Sequence, residues 1–315
     1  MLHKSLTELS IHTLLPRNWS QNRLNGRADV GIERVGVVGA GLMGSGIAEV
    51  SARAGADVIV CETDAKTSAA GLVRIEDSLA RAVRANKMDE AGRDSVLTRV
   101  AFTTDIGELS NRELVIEAII ESLDEKLELF TNIDKILEND DSVIASNTSS
   151  IPIMKLAMAT RRPENVLGLH FFNPVPVQRL VELIPSIVTS EEAVDRVEEF
   201  VSGRLEKRVI RSHDRAGFIV NFLFVPYVLS AIRMLESEFA SADDIDAGMV
   251  EGCSHPMGPL ALADLIGLDT IKAVADSMYE EFKEPLYAAP PLLRRMVEAG
   301  LLGRKRGRGF FDYAK

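Results

Sequence analysis

Five histidines occur among 315 residues, and one of them, His170, ends an apolar run in LGLHFFNPVPV (167–177). Imidazole takes and returns a proton near neutral pH, which suits it to general acid–base work. Its apolar neighbours also allow a plainer reading, a hydrogen-bonded core histidine. Glu182, in VELI, is open in the same way. It is an outward-facing strand residue, or it is a carboxylate partner that favours the imidazolium and fixes its tautomer. A charge between Val181 and Leu183 is expensive unless paired. SNTSS (146–150) sets hydroxyls and an amide after an apolar run, where they cap a helix or face a ligand. Within it, Ser149 is placed to orient a substrate hydroxyl, and Asn147 is structural or beside a cofactor. Asn221 is the lone amide in GFIVN (217–221), an otherwise apolar helix start, and a buried amide there needs partners. His3, His12, His213 and His255 carry no catalytic expectation, and His255, in SHPMGP, shapes a turn between helices. No grouping of His, Cys, Asp and Glu has metal-ligand spacing, so no metal is expected.

A second cluster binds rather than reacts. GAGLMG sets Gly39, Gly41 and Gly44 at the G-x-G-x-x-G spacing, with Leu42 and Met43 between them. A β-branched run with Val35, Val37 and Val38 precedes it, and an Ala-rich helix follows. Gly39 permits the tight turn, Gly41 lets the backbone approach a pyrophosphate, and Gly44 lets the helix pack close. The helix start then offers free N–H groups to phosphate. Glu62 ends the next strand, 23 residues past Gly39, where a carboxylate holds the adenosine ribose hydroxyls. The fingerprint alone is weak, but the whole strand–turn–helix–strand unit with its carboxylate predicts dinucleotide binding. Glu62 would repel a 2′-phosphate, so NAD is expected over NADP, and Lys66 softens that preference.

The elements that must position these groups are legible as an alternation. Residues 65–86 and 123–138 have helical spacing, and 100–105, 114–118, 142–146 and 166–170 read as strands. Strands separated by helices predict a parallel, doubly wound, Rossmann-like α/β sheet. Ligands in such sheets lie beyond the carboxyl ends of the strands. His170, Asn147, Ser149 and Glu121 each fall near such an end. After about residue 213 the alternation stops, and 217–240, 243–252, 258–282 and 290–300 read as helices, one of them started by Ser241 before Asp243 and Asp244. The expected layout is an extension over 1–31, a nucleotide-binding domain over 32–212 and an all-helical domain over 213–315.

Composition excludes several function classes. A net charge of −11 argues against general nucleic-acid binding, which needs a basic surface. An anionic ligand therefore needs a local basic patch. Arg81, Arg84 and Lys87, spaced i, i+3, i+6, supply one, unless they are only a solvated helix face. No apolar stretch reaches the roughly 18 residues of a spanning helix, and 217–232 is cut by Asn221, Pro226 and Ser230. Two cysteines, Cys61 and Cys253, make no disulfide framework, which fits a reducing, cytoplasmic setting. Residues 1–31 are polar, broken by Pro16 and Gly26, and hold the only tryptophan, Trp19. They read as a loosely ordered extension, with a cleaved targeting segment as the other reading.

Taken together, the motifs resemble the short-chain L-3-hydroxyacyl-CoA dehydrogenases, within them the bacterial 3-hydroxybutyryl-CoA type. The resemblance runs from about Glu33 to Tyr313 and rests on GAGLMG, EAIIE (117–121), SNTSSI, HFFNPVPV, LVEL, GFIVN, HPMGP, GLDT and GRGFF (307–311). It implies hydride transfer between NAD(H) and C3 of a short-chain acyl-CoA. It implies His170 as the base, Glu182 as its partner, and Ser149 and Asn221 as holders of substrate and histidine. It puts Glu121, Lys126, Asn173 and Lys305 near the nicotinamide half of the cofactor. Ser78 falls at a coenzyme A contact, and Arg84 stands near a second one for which this chain has no lysine. The resemblance also implies a homodimer through the helical domain, with Phe222, Phe224, Tyr227, Leu229 and Ile232 as its apolar face or, alternatively, as an internal core. Two positions depart from the family: Ala216 precedes Gly217 where proline is frequent, and Phe222 follows Asn221 where arginine is frequent. The competing readings are a related dehydrogenase of a free hydroxy acid such as gulonate or carnitine, and a dinucleotide-binding protein without turnover.

Overall fold

The computed structural model describes residues 31–313. Apart from Gly31, the expected extension lies outside the described residues. The first half is one sheet with helices on both faces. Its strands are β1 (Arg34–Val38), β2 (Asp57–Cys61), β3 (Val100–Thr103), β4 (Leu114–Glu117), β5 (Val143–Ser146), β6 (Val166–Phe171), β7 (Leu180–Pro185) and β8 (Arg208–Arg211). They lie in the order β3-β2-β1-β4-β5-β6-β7-β8. Between them run α1 (Leu42–Arg53), α2 (Ala65–Arg84), α3 (Glu90–Leu97), α4 (Leu123–Ile136), α5 (Ile153–Ala157) and α6 (Glu191–Glu199). β4, β5 and β6 are buried along their whole length, as strands covered on both faces must be. Leu169, Phe171, Val181 and Leu183 pack with Ile47, Ile75 and Leu79 on one face. Ile144, Val166 and Ile184 pack with Phe130, Ile133 and Leu156 on the other.

The parallel expectation holds for six strands and fails at β7. β6 and β7 are joined by residues 172–179, with no helix between them, so β7 returns antiparallel beside its predecessor. α6 then provides a crossover that sets β8 parallel to β7. This reversal places Glu182 directly opposite His170. In the parallel part, Val38, Cys61, Glu117 and Ser146 lie in one row, which Gly168 continues. The glycine turn, Glu62, Asn147 and His170 all follow from that row.

The second half is helical: α7 (Val220–Glu236), α8 (Ala242–Cys253), α9 (Pro259–Ile266), α10 (Leu268–Phe282) and α11 (Pro291–Glu298). Ser241 caps α8 by accepting from the Asp244 amide. The single helix expected over 258–282 is two, because Gly267 takes φ +110°, a conformation reserved for glycine. Leu229 and Ile232, expected on an outer face or in an internal core, are fully buried with Leu260, Ile271 and Val274. The internal core is their place, and Phe224 and Tyr227 pack against it.

Candidate active site

The glycine turn has the shape the three glycines require. Gly39 sits at φ +94°, and a Cβ there would lie 2.7 Å from the Ala118 carbonyl oxygen. A Cβ on Gly44 would lie 1.8 Å from the Gly39 carbonyl oxygen, so α1 can close onto the turn only without one. Gly41, the N-cap of α1, has nothing within 4 Å of such a Cβ. Leu42, the next residue, stands exposed, as does Ile120 after β4, and Met43 packs against the core. A turn of this form, open at its middle glycine, fits a dinucleotide. Glu62 follows β2 and accepts from the Ala40 amide of the turn and, at 3.1 Å, from the Thr63 amide. The carboxylate assigned to a ribose thus borders the phosphate turn. Lys66 is exposed in the first turn of α2.

His170, 7% exposed, is bound through Nδ1 to Glu182 Oε2 at 2.7 Å. An ionised carboxylate can only accept, so Nδ1 is the donor, and in the neutral ring the lone pair is on Nε2. The Phe172 and Phe218 rings flank the imidazole at 4.7 and 5.6 Å. Glu182 is wholly buried. Its other oxygen, Oε1, accepts from the Ile219 and Val220 amides at 3.0 and 2.9 Å, at the start of α7. One carboxylate therefore orients the imidazole and caps the helix that carries Asn221 in its first turn. Gly217 and Phe218, at φ +85° and +48°, turn the chain into that helix.

Glu121 organises the loop after β5. Its Oε1 accepts from the Thr148 hydroxyl at 2.5 Å, the Ser150 hydroxyl at 2.8 Å, and the Ser149 and Ser150 amides at 3.1 Å. Burial alone would raise this carboxyl, but the Lys126 charge, the Thr148 and Ser150 hydroxyls and the Ser149 amide hold it below the usual carboxylate range. Lys126, expected beside the nicotinamide, is enclosed at 1% exposure between Glu117 at 2.5 Å and Glu121 at 3.3 Å. Through Glu121 it is linked to the loop after β5. Asn147 accepts from the Phe171 amide at 2.9 Å, pinning the residue after His170. Ser149 is half-buried on this loop, and Asn173 is exposed on the loop between β6 and β7.

Two more of the expected groups face carboxylates. Lys305 binds both oxygens of Asp269 at 2.6 Å, at the start of α10, and among the described residues it has no other bond. The Ser78 hydroxyl faces Glu49 of α1, a carboxyl that burial raises while Ser78, Arg53 and Arg81 draw it down. Arg84 is exposed in the last turn of α2, as are Arg81 and Lys87 nearby. Glu117, which binds the Ser146 hydroxyl at 2.6 Å as well as Lys126, is a site residue the motifs did not single out. The available signal was a carboxylate inside the apolar strand LVIE. Among the described residues, no group of His, Cys, Asp and Glu is arranged to hold a metal.

The comparisons with known proteins agree with this geometry. Residues 34–215 match the family described as 3-hydroxyacyl-CoA dehydrogenase, NAD binding domain, and 217–313 match its C-terminal domain. The chain is 60% identical over 282 residues to 3-hydroxybutyryl-CoA dehydrogenase of Mycobacterium tuberculosis, covering 90% of this chain and 99% of that one. It is 41% identical to the human mitochondrial hydroxyacyl-coenzyme A dehydrogenase, covering 90% and 91%. The crystal structure of FadB2 from Mycobacterium tuberculosis superposes with a TM-score of 0.89 at 60% identity, covering 90% of this chain and all of that one. That of (S)-3-hydroxybutyryl-CoA dehydrogenase PaaH1 from Ralstonia eutropha gives 0.86 at 43%, again over 90% of this chain and 100% of that one. A glycine turn open to a dinucleotide, a buried imidazole–carboxylate pair beyond the same strand ends, and matches spanning both halves make this chain a member of the NAD-binding 3-hydroxyacyl-CoA dehydrogenase family.

Proposed function

We propose that the chain interconverts 3-hydroxybutyryl-CoA and acetoacetyl-CoA with NAD(H). The observation that carries this reading is the 2.7 Å pair of His170 and Glu182, with Nε2 left to meet a substrate hydroxyl. Bound NAD supplies hydride acceptance at C3 of the alcohol. In the oxidation direction His170 Nε2 takes the hydroxyl proton, and Glu182 balances the imidazolium that forms. In reduction the same nitrogen returns the proton to the carbonyl oxygen. Ser149 and Asn221, on the β5 loop and in the first turn of α7, hold the substrate oxygens. Glu62 takes the adenosine ribose, where a 2′-phosphate would meet like charge, and Asn173 lies toward the nicotinamide half. Glu121, Lys126 and Asn147 keep the β5 and β6 loops in place around it. Arg84, with Ser78, is assigned to the phosphates of coenzyme A. Residues 32–212 are then the NAD-binding domain and 213–315 the substrate and dimerisation domain of a cytoplasmic homodimer.

The test is NADH oxidation with acetoacetyl-CoA, with acetoacetate, and with neither. Turnover with the thioester alone is the expected result. Comparable turnover of free acetoacetate favours a hydroxy-acid dehydrogenase, and none with either substrate overturns the assignment.

A further inference from the structure

Lys207, just before β8, carries a charge that the chemistry above does not use. It is 8% exposed, and among the described residues no carboxylate pairs with it. Its Nζ donates to the carbonyls of Val175 and Gln178, each at 2.7 Å. Burial pushes its pKa below the ordinary lysine value, and the nearby Arg53 guanidinium adds to that. An interior ammonium without a counter-ion is costly unless something compensates it. Here the compensation comes from the carbonyl dipoles of one loop, 172–179, which joins the strand of His170 to the strand of Glu182 and carries Asn173.

The ends of that loop are held by one side-chain oxygen and one main-chain carbonyl. The Phe171 amide donates to Asn147, and the Arg208 amide donates to the Arg179 carbonyl at 2.7 Å. Inside it, the Val177 and Gln178 amides turn back to the Pro174 carbonyl, both at 2.9 Å. Val175 lies against α1 so closely that a Cβ on Gly46 would be 2.8 Å from its Cβ. The lysine ties the middle of this loop to the chain entering β8.

We infer that Lys207 is a positioning residue for the reaction, its ammonium fixing the β6–β7 connection and with it the place of Asn173 and the alignment of His170 with Glu182. The inference rests on the roles proposed for those residues. It acts through them, so its loss should appear in turnover more than in acyl-CoA binding.

The test compares Lys207→Met, Lys207→Gln and Lys207→Arg with the parent in the full-length protein. Lys207→Met keeps the unbranched chain, one atom shorter, and removes every donor. Its kcat should fall about tenfold or more, as for a small misplacement of reacting groups, with the acyl-CoA KM nearly unchanged and the NAD KM raised. The downfield proton resonance of His170 Nδ1 should broaden or move. Lys207→Arg should recover most of the turnover, and Lys207→Gln, with one amide donor group, should fall between. If Lys207→Met does not fold, Lys207→Gln carries the comparison. A neutral variant with parental kcat and an unmoved His170 resonance overturns the inference, as does a loss of kcat that arginine does not restore. The resonance is read without substrate, so it reports on Lys207 even where the substrate assignment fails.

Discussion

At His170 the 2.7 Å bond to Glu182 decides which nitrogen is free, and the two partners differ in what else they hold. Among the described residues the histidine side chain bonds only the carboxylate, whereas Glu182 also caps α7 through Ile219 and Val220. His170→Gln should therefore leave folding intact and lower kcat by about 10²–10⁴-fold, the usual cost of losing a general base. Glu182→Gln should lower kcat and also destabilise the fold by roughly 1–3 kcal/mol, because hydrogen bonds to a charged acceptor are weakened. The double variant should be little slower than His170→Gln, since the carboxylate acts through the ring. Steady-state rates and urea unfolding of the four proteins check this, and additive rate losses would give Glu182 an independent role. Glu121 allows a pH test. Its carboxyl sits below the usual range, so the unfolded chain binds more protons as the pH falls. The stability it contributes is present above the unfolded carboxylate pKa and is lost as the pH drops through the folded one. Glu121→Gln should unfold more easily than the parent at pH 7, and the gap should narrow at a pH below the ordinary carboxylate range. A gap of equal size at both pH values would mean that the carboxylate charge does not hold this loop.

The turn between β1 and α1 separates two glycine functions that the sequence motif presents together. Gly41 faces open space, and Gly44 faces a carbonyl oxygen. Gly41→Ala should keep the stability of the parent while the KM for NAD rises by about tenfold or more, because the added methyl occupies the approach of the pyrophosphate. Gly44→Ala should lose both, since α1 must move off the turn, at a cost of about 1–3 kcal/mol. Isothermal titration with NAD beside thermal unfolding distinguishes them, and equal destabilisation of the two variants would sink this assignment. The turn was legible because its glycines, its buried strand and its carboxylate are all local. The direction of β7 was not, because it depends on what joins the strands, and VELI reads the same either way round. β8 and α3 are short and half-exposed, with too little apolar period to register, and the apolar face of α6 rests on Ala193, Val194 and Val197 alone. The break at Gly267 was hidden because the apolar faces of α9 and α10 continue across it.

At the scale of the whole chain, the contacts that tie helices to sheet were out of reach of sequence reading, because each joins residues far apart. Asp214 caps α5 through the Ile153 and Met154 amides at 2.8 and 2.7 Å. The Ser277 hydroxyl of α10 donates to the Ser150 carbonyl at 2.7 Å, reaching the loop that Glu121 organises. Glu281 accepts from the Ala216 amide at 2.8 Å and pairs with Arg215. With Leu229 and Ile232 in the internal core, the apolar surface left for a partner lies elsewhere on the helical half. Phe239 is 79% exposed, Leu223 69%, Leu265 48% and Ile266 40%. These are exposed apolar side chains of the helical half that the proposed dimer would cover. Opposing it is charge, because each chain carries a net −11 and two copies repel. Burial of apolar area is indifferent to salt, whereas the repulsion is screened over about 10 Å at 0.1 M ionic strength. Light scattering at micromolar concentration should therefore give twice 34.5 kDa, with dissociation on dilution setting in at lower protein concentration as salt is raised. A 34.5 kDa particle at every salt concentration would refute the dimer, and a dimer that weakens with salt would mean that ion pairs, not these apolar side chains, hold it.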